Sequence, residues 1–575
     1  MSTHANIKKA AILALQRVVG QAYQEGASRE SIIAHLTTEG VTDPEPILAR
    51  VEGMKMIPLL GGVELKKYGG RNKFRALFGL PEAEAPLAQP EPEDFPYTES
   101  GDAEHFAQMY AERVRYNHRK SRWLIADDET GLWLPDPVDE MYELAKASMR
   151  ERQKRALMID DQSRRKVAMD WALRGENRSR LSNLLALAAS VPPLADNGDN
   201  WDSDPFLLGC MNGVIDLRYG VVRKASPDER ITMRVGVPFD RTKRSELWED
   251  TLDAIFAPVI DSSDSATDLI EAAQARHLEA QANMVSFVQR AFGYTATGDC
   301  SEECCFFIYG GGANGKGTLT QTLSHLLNDY HDEMPATTLE RSKFGAGIPT
   351  DLADLDGKRF VTNAELQEMT VNEARLKAIT GRDEITARFL HEDFFSFIPV
   401  CKIWIATNNK PKIVGQDDGI WRRIHLIPFL NKFEGPTDNK KLKDILREPE
   451  HQQGILTWLV EGSMDWYWNG LRPPQAVIDA TKEYREESDV LTPFLEGRCT
   501  FGSTVKCVGK DLWAEYQHWC EQSSVDMLWR LGQKAFFHRI ASKFQNRKNR
   551  LGQSEYFGIG LMGRGEPSRA QEPGF

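Results

Sequence analysis

Apolar positions recur along this chain in two patterns that predict different elements. The continuously apolar run Cys304–Ile308 is typical of a buried strand. Leucines at spacings of three and four residues follow it and predict a helix over 319–330. Similar strands and helices alternate from 247 to 484, which indicates an α/β domain with a parallel sheet flanked by helices.

The remaining regions differ in pattern, so the sequence predicts a multidomain protein. In the N-terminal region, which is helical in pattern, Ser28 has the position of a helix cap. Mixed patterns follow, with predicted helices over 103–114 and 138–149 and strand pairs over 123–133 and 212–220. The predicted segments are a small helical module at 1–80, an acidic proline-rich linker at 81–96, an α+β domain at 97–246, the α/β domain at 247–486, helices with a small hairpin at 487–563 and a disordered tail at 564–575.

Composition narrows the class of protein. The 575 residues carry a formal net charge of −13, which argues against nucleic-acid binding by the whole surface but permits a local basic site. The eight cysteines form no C-x-x-C pair, which argues against a zinc ribbon and favours buried thiols in a reducing compartment. The sequence shows no signal peptide or membrane span, so we expect a cytoplasmic protein that contacts no membrane.

The strongest chemical signal lies between the predicted strand and the leucine-rich helix. This segment has the pattern G-x-x-x-x-G-K, in which backbone N–H groups, the helix N-terminus and the lysine surround phosphate. It predicts binding and hydrolysis of ATP, and a chance glycine-rich turn is the competing interpretation. Gly317 stands where serine or threonine is usual, so either the hydroxyl that holds Mg²⁺ comes from Thr318 or the loop is shifted by one residue. The predicted nucleotide-binding residues are Gly310, Gly311, Gly312, Ala313, Asn314, Gly315, Lys316, Gly317 and Thr318.

Three later positions complete the expected chemistry. A predicted strand ends in Glu365, where a carboxylate can polarise the attacking water and hold the metal. Another ends in Asn408, which is placed to hydrogen-bond phosphate or water. Arg422 and Arg423 are adjacent, and in ring ATPases an arginine stabilises the transition state on a neighbouring subunit. The simpler interpretations are a solvated acid, a turn-forming asparagine and surface ion pairs.

The order of these elements resembles the superfamily 3 helicases of the phage and plasmid primase–helicase type, which are related to poxvirus primase–helicases. The resemblance is clearest at LKAITGRDEITAR, IWIATNNKP and GIWRRIHLIPF, and it extends to DPFLLGCMNGVIDLRYG before the α/β domain. It implies an AAA+-like P-loop ATPase that forms a hexameric ring and moves on single-stranded DNA, usually 3′ to 5′. It also implies that Glu365 is the Walker B acid, Asn408 is sensor 1, and Arg422 or Arg423 is the arginine finger.

The same resemblance places a DNA-gripping hairpin between Lys377 and Phe397. His391 is the candidate at its tip, with Arg388 and Lys377 as further candidates. The family often carries a basic residue at this tip, whereas here His391 is followed by two acids.

Independently of the resemblance, the segment 531–550 is basic and holds no acid. Its phenylalanines recur at helical spacing, which predicts a helix with one apolar and one basic face, followed by a hairpin. That arrangement favours a winged-helix-like DNA-binding domain, and a solvated helix face is the alternative. The candidate DNA-binding residues are Lys534, Arg539, Lys543, Arg547 and Lys548.

The leading hypothesis is a replicative DNA helicase of a phage, plasmid or mobile element in a bacterial host. Its expected partners are single-stranded and forked DNA, further copies of itself and a separate primase or replication initiator. A primase domain is not expected, because the region before residue 97 holds neither a D-x-D pair nor a cysteine. The alternatives are an initiator or loader ATPase that remodels DNA without processive unwinding and, less favoured, a P-loop nucleotide kinase.

Overall fold

A computed structural model describes residues 15–23, 27–39, 41, 43–52, 71–78, 80, 95–258, 267–341, 350–364, 370–389, 393–523, 525 and 530–562. Glu365, His391, most of the 81–96 linker and the 564–575 tail lie outside the described residues. The chain divides into two compact units. The first comprises Met1–Trp201 with Ala225–Arg230, and the second comprises Asp202–Lys224 with Ile231–Phe575.

Short helices form the first part of unit one. Ser28 caps one of them, since its hydroxyl accepts the Ser31 N–H at 3.2 Å, and the predicted helix start is confirmed. The buried residues Val19, Ile32 and Phe74 belong to the apolar cluster of these helices. The helices are α1 (15–23), α2 (Arg29–Thr38), α3 (Glu45–Glu52) and α4 (Arg71–Ala76).

The rest of unit one packs helices against a four-stranded sheet in the order β3-β2-β1-β4. The helix predicted over 103–114 ends earlier, because Val114 is buried in the sheet opposite Ile125. The helix predicted over 138–149 begins where Asp136 accepts the N–H groups of Glu140 and Met141 at 2.8 and 2.9 Å. The elements are α5 (Glu99–Met109), β1 (Val114–Asn117), β2 (Arg122–Ala126), β3 (Trp133–Pro135), α6 (Glu140–Leu157), α7 (Gln162–Gly175), α8 (Arg178–Ala188) and β4 (Ala195–Asp196).

Unit two begins with an antiparallel meander over the predicted strand pair at 212–220. Its strands are β5 (Leu207–Cys210), β6 (Gly213–Asp216) and β7 (Val221–Arg223). Leu208 and Ile215 of this meander share one buried core with Trp248 and Phe287. The predicted boundary at 246 therefore does not coincide with the division between the units, because the meander packs with the residues that follow it.

A five-stranded parallel sheet forms the centre of unit two, in the order β14-β8-β13-β10-β9. Helices flank it, as the alternating pattern predicts, so the mixed α/β architecture is confirmed. A two-stranded hairpin, β11 with β12, is inserted before β13. The elements are α9 (Glu246–Ile255), α10 (Thr267–Ala296), β8 (Cys305–Tyr309), α11 (Lys316–Leu327), β9 (His331–Glu333), β10 (Phe360–Ala364), α12 (Glu373–Thr380), β11 (Ile385–Ala387), β12 (Phe395–Phe397), β13 (Lys402–Thr407), α13 (Asp418–Trp421), β14 (Ile424–Pro428), α14 (Leu442–Leu446), α15 (Pro449–Asn469) and α16 (Gln475–Glu487).

Three helices and a three-stranded antiparallel sheet complete unit two, with Phe494, Tyr516 and Phe536 in their core. The predicted helix and hairpin are present, and the long strand β15 adds a third strand that the sequence analysis missed. The elements are α17 (Thr492–Arg498), β15 (Cys499–Val508), α18 (Gly509–Gln522), α19 (Gln533–Lys543), β16 (Asn546–Lys548) and β17 (Ser554–Leu561).

Two further expectations concern the whole chain. All eight cysteines are free thiols and all except Cys507 are buried, as the spacing of the cysteines suggests. Within the described ranges, no helix is both long and apolar enough to cross a membrane.

Candidate functional site

The glycine-rich segment follows β8 as a tight loop. The Gly310 amide donates to the Thr407 carbonyl at 3.3 Å, and a Cβ on Gly310 would lie 2.3 Å from the Phe429 carbonyl oxygen. Gly315 has a φ of +87°, and a Cβ there would lie 2.6 Å from the side chain of Ile255. Glycine is therefore required at both positions, and the loop leads directly into the N-terminus of α11.

Lys316 is the first residue of α11, and its ammonium lies within the loop. Nζ donates to the Gly310 carbonyl at 2.6 Å and to the side-chain oxygens of Asn314 and Asn408 at 3.0 Å each. Lys316 is 7% exposed, and burial lowers the pKa of its ammonium. In the part of the chain that the structure describes, no carboxylate lies within 4.0 Å of this Nζ. A buried cation whose described partners are all neutral oxygens is suited to an anionic ligand.

Asn408 reaches the loop because β13 and β8 are parallel neighbours, with Thr407 opposite Tyr309. The residues that follow these two strands therefore leave the same edge of the sheet. The structure thus brings together Lys316 and Asn408, two of the residues that the sequence selects. It also explains Asn314, whose side-chain amide donates to the Phe429 carbonyl at 3.2 Å and fastens the loop to the end of β14.

A cleft of about 540 Å³ opens beside the loop. One wall is the segment 312–318, so the predicted metal ligand Thr318 lies in it, half-buried. A second wall comes from α9 and from the segment 433–443, including Thr251, Phe433 and Lys443. The sequence analysis missed this second wall, because no local motif marks it and the fold brings its parts from two distant segments.

A second cavity, of about 450 Å³, lies between α11 and strands β9, β10 and β13. Asn363 lines it and is 1% exposed. Its Nδ2 donates to the Met334 carbonyl at 2.7 Å, whereas its Oδ1 has no hydrogen-bond partner among the described residues. A buried amide oxygen of this kind is a position for an ordered water. β10 itself ends at Ala364, opposite Ala406, at the edge of the sheet where the loop lies.

Arg422 and Arg423 precede β14, and their Nη2 atoms lie 2.9 and 3.0 Å from Glu303 Oε2. The Arg422 side chain is 64% exposed. The Arg423 side chain is 10% exposed and also donates to the Gly419 carbonyl at 2.6 Å. β14 and β8 are parallel, so this pair lies at the opposite edge of the sheet, about 16 Å along the strand from the loop. Arg422 therefore remains open to another molecule, whereas Arg423 is built into the fold.

The predicted hairpin forms from β11 and β12, with Ile385 opposite Phe397. Arg388 follows β11, and its guanidinium lies over the Phe394 ring at 4.9 Å. Lys377 is not part of this hairpin, because it lies on α12 and forms an ion pair with Asp417 at 2.8 Å.

The candidate DNA-binding residues of the C-terminal helices separate into two groups. Lys534, Arg547 and Lys548 are exposed, and the Lys543 side chain is 46% exposed although it lies 3.7 Å from Asp489. Arg539 does not share this surface. Its side chain is 13% exposed, lies 3.4 Å from Asp489 and donates to the Val414 carbonyl. Arg539 is therefore held within the fold by these contacts, and its predicted place on the exposed basic face is wrong.

Comparison with known proteins gives two family matches. The family described as "D5 N terminal like" matches residues 103–257, and a family of unknown function, DUF5906, matches residues 308–423. The second match covers the loop, β10, β13 and the paired arginines.

Curated relatives come from large DNA viruses. "Putative helicase L207/L206" of Acanthamoeba polyphaga mimivirus is 29% identical over 313 residues, 52% of this chain and 31% of that protein. "Putative helicase 022R" of Frog virus 3 is 25% identical over 410 residues, 60% of this chain and 41% of that protein. "Putative primase C962R" of African swine fever virus is 24% identical over 212 residues, 33% of this chain and 22% of that protein. The chain thus spans less than half the length of each of these relatives. These relatives come from viruses that infect eukaryotes, so they do not support the predicted bacterial host.

Among solved structures, the apo form of the NrS-1 C-terminal region is a loose likeness. Its TM-score is 0.38 at 10% identity, over 79% of this chain and 99% of that chain. The family match over 103–257 and the viral relatives named as helicases and primases support the resemblance of this chain to a primase–helicase-like family.

Proposed function

We propose that this chain is an ATP-dependent replicative DNA helicase, with an AAA+-like P-loop domain and a winged-helix-like C-terminal domain. The observation that carries the proposal is the Lys316 ammonium, held by neutral oxygens of the loop and Asn408 at the edge of a cleft. Relatives named as helicases support the same conclusion.

In this proposal the loop binds the phosphates of ATP through its backbone N–H groups, aided by the N-terminus of α11. Lys316 exchanges its loop oxygens for phosphate oxygens, and Asn408 orients the terminal phosphate or the attacking water. Glu365 removes the proton from that water. Thr318 lines the cleft in the first turn of α11, and its hydroxyl fits Mg²⁺, which takes few protein oxygens beside phosphates. When bound, the metal neutralises charge on the phosphates.

The position of Arg422 supports a ring. Because Arg422 lies at the opposite edge of the sheet from its own loop, one arginine side chain does not span that separation. Its exposed guanidinium would therefore reach a nucleotide bound to a second copy. We propose a homo-hexamer in which each Arg422 completes its neighbour's site, whereas Arg423 and Glu303 position it.

For DNA, we propose contacts at two places. The hairpin carrying Arg388 and His391 would enter the ring and hold single-stranded DNA during 3′ to 5′ translocation. Lys534, Lys543, Arg547 and Lys548 would bind the phosphate backbone from the C-terminal domain, with a separate primase or initiator as a further partner. Lys377, paired with Asp417, would support the hairpin from α12.

ATP hydrolysis with and without single-stranded DNA tests the proposal. We expect DNA-stimulated hydrolysis that falls by about 10²–10³-fold in Lys316→Ala, since one preorganised charge contact at the phosphates is removed. Lys440→Ala, an exposed lysine outside the cleft, is the matched control. Hydrolysis dependent on Lys316 but indifferent to DNA would contradict the helicase and favour a kinase.

Displacement of a strand from a forked substrate separates the helicase from a loader. Unwinding that requires ATP and Lys316 supports the proposal. DNA-stimulated hydrolysis without strand displacement, at the same protein concentration and on either fork polarity, would favour the initiator or loader.

A further inference from the structure

Lys443 faces the glycine-rich loop from the other wall of the cleft. It lies on α14, and a Cβ placed on Gly317 would be 3.4 Å from its Nζ. Gly317 is the first-turn residue of α11 that follows Lys316, where the loop pattern usually has a hydroxyl side chain. The space that such a side chain would fill is therefore bordered by an ammonium group from a segment more than a hundred residues away.

Several contacts hold this segment against the loop. The Phe433 amide donates to the Ala313 carbonyl at 2.7 Å. Asn431 donates to the carbonyls that end α9, with distances of 3.0 Å to Ile255 and 2.7 Å to Ala257. At the other end, Leu446 is fully buried, so α14 is anchored on both sides of Lys443. The position of Lys443 follows from packing of its own helix against the nucleotide site.

The charges around Lys443 are consistent with an anionic ligand. In the described parts of the chain, no carboxylate lies within 4.0 Å of its Nζ. Asp250 and Asp438 line the same cleft, but both are exposed and neither pairs with it. Lys316 and Lys443 therefore place two ammonium groups in the lining of one cleft, each without a carboxylate partner among the described residues.

We propose that Lys443 is a second phosphate-binding residue of the nucleotide site, and that the absence of a side chain at Gly317 leaves space for its ammonium group. This inference rests on the proposed function, because it assumes that the cleft takes a nucleoside di- or triphosphate. Lys443 would donate a charge-assisted hydrogen bond to phosphate oxygens at the first turn of α11. Lys316 would hold phosphate oxygens within the loop.

Calorimetry measures the binding of ADP and of ATP to the full chain. EDTA is present so that no hydrolysis occurs, and the measurement therefore tests binding alone. Lys443→Met keeps the aliphatic stem and removes the charge, so we expect affinity for both nucleotides to fall by about tenfold or more. Lys443→Arg restores a charged donor and should recover most of that loss. Lys440→Met removes a charge from the same segment outside the cleft and should leave affinity unchanged. The melting temperature of Lys443→Met should equal that of the wild type.

The outcomes separate the two proposals. Weak binding by Lys316→Ala together with wild-type binding by Lys443→Met would overturn the role of Lys443 and leave the proposed function intact. Equally weak binding by Lys443→Met and Lys443→Arg, with a lowered melting temperature, would assign Lys443 to packing and also overturn it. Absence of nucleotide binding by the wild type would remove both.

Discussion

The Lys316 ammonium lies 3.0 Å from the side-chain oxygen of Asn408, although the two residues are 92 positions apart. The contact follows from the sheet, since β8 and β13 are parallel neighbours and both residues follow the carboxyl ends of these strands. If Lys316 binds phosphate as proposed, the neutral side chain of Asn408 can orient an oxygen without competing for the cation.

The first prediction concerns this pair. Asn408→Ala should lower kcat for ATP hydrolysis by about 10²-fold and change nucleotide affinity little, because one polar contact to the reacting phosphate is lost. Asn408→Asp should behave differently, since a carboxylate 3 Å from Lys316 competes with phosphate for the ammonium. We expect a clear loss of ADP affinity in Asn408→Asp alone, measured by calorimetry. Equal ADP affinity in the two variants would contradict this arrangement.

The site was predictable from the sequence only where its residues follow strands. The loop that carries Lys316 directly follows one strongly apolar run and Asn408 follows another, so their chemistry could be inferred without a fold. Lys443 carries no such signal in the sequence. Its proximity to Gly317 arises only from how α14 packs on α11. Periodicity likewise predicts a basic helix around Arg539, but it does not reveal that Asp489 and Val414 enclose this residue.

The bounds of the predicted helices and strands were also only partly predictable from the sequence. The helix predicted over 103–114 stops at Met109, because pairing of Val114 with Ile125 outweighs local helical preference. The strand β15 was missed because the polar residues at its centre weaken the apolar alternation. Local pattern therefore predicts the type of element well, whereas tertiary pairing decides where it ends.

The second prediction separates the paired arginines. Arg422→Ala should lower DNA-stimulated hydrolysis by about 10³-fold or more, because in the proposed ring this guanidinium acts on a neighbouring copy. Its melting temperature should stay unchanged, because the side chain is 64% exposed. Arg423→Ala should lower the melting temperature, because a buried partner of Glu303 and Gly419 is removed. Thermal denaturation and ATPase assays distinguish them.

A mixing experiment tests whether Arg422 acts between copies. Lys316→Ala and Arg422→Ala should each be nearly inactive alone, but in a mixed ring some sites combine an intact Lys316 with an intact Arg422. We therefore expect hydrolysis to reappear when the two variants are mixed, up to about a quarter of wild type if assembly is random. No recovery, with mixed assembly shown by cross-linking, would contradict a role in trans.

The third prediction concerns the C-terminal helices. Lys548→Ala removes an exposed charge and should weaken DNA binding with little effect on stability, reducing the slope of log affinity against log salt by about 1. Arg539→Ala should instead destabilise the protein by about 3 kcal/mol, because Asp489 loses its closest cation in a partly buried site. Salt titrations of DNA binding and denaturant titrations measure the two effects. A large change in DNA affinity with unchanged stability in Arg539→Ala would return Arg539 to the DNA-binding surface.

The last prediction uses His425, whose ring lies between Phe306 and Phe287 at centroid distances of 5.6 and 6.0 Å. Burial lowers the pKa of His425 from its usual 6.5 to about 4. As the pH falls below 6.5 the unfolded chain takes up this proton first, so stability is complete above pH 6.5 and is lost progressively down to about pH 4. The loss from this one residue is about 1.4 kcal/mol per pH unit within that window.

His425→Phe keeps an aromatic ring and removes the titration, so its stability relative to the wild type should rise by that amount per unit as the pH falls. Denaturant titrations at several pH values, followed by tryptophan fluorescence, measure the difference, since Trp404 stacks on Phe306. Parallel pH profiles for the two proteins would show that His425 is already protonated, or solvated, in the folded state.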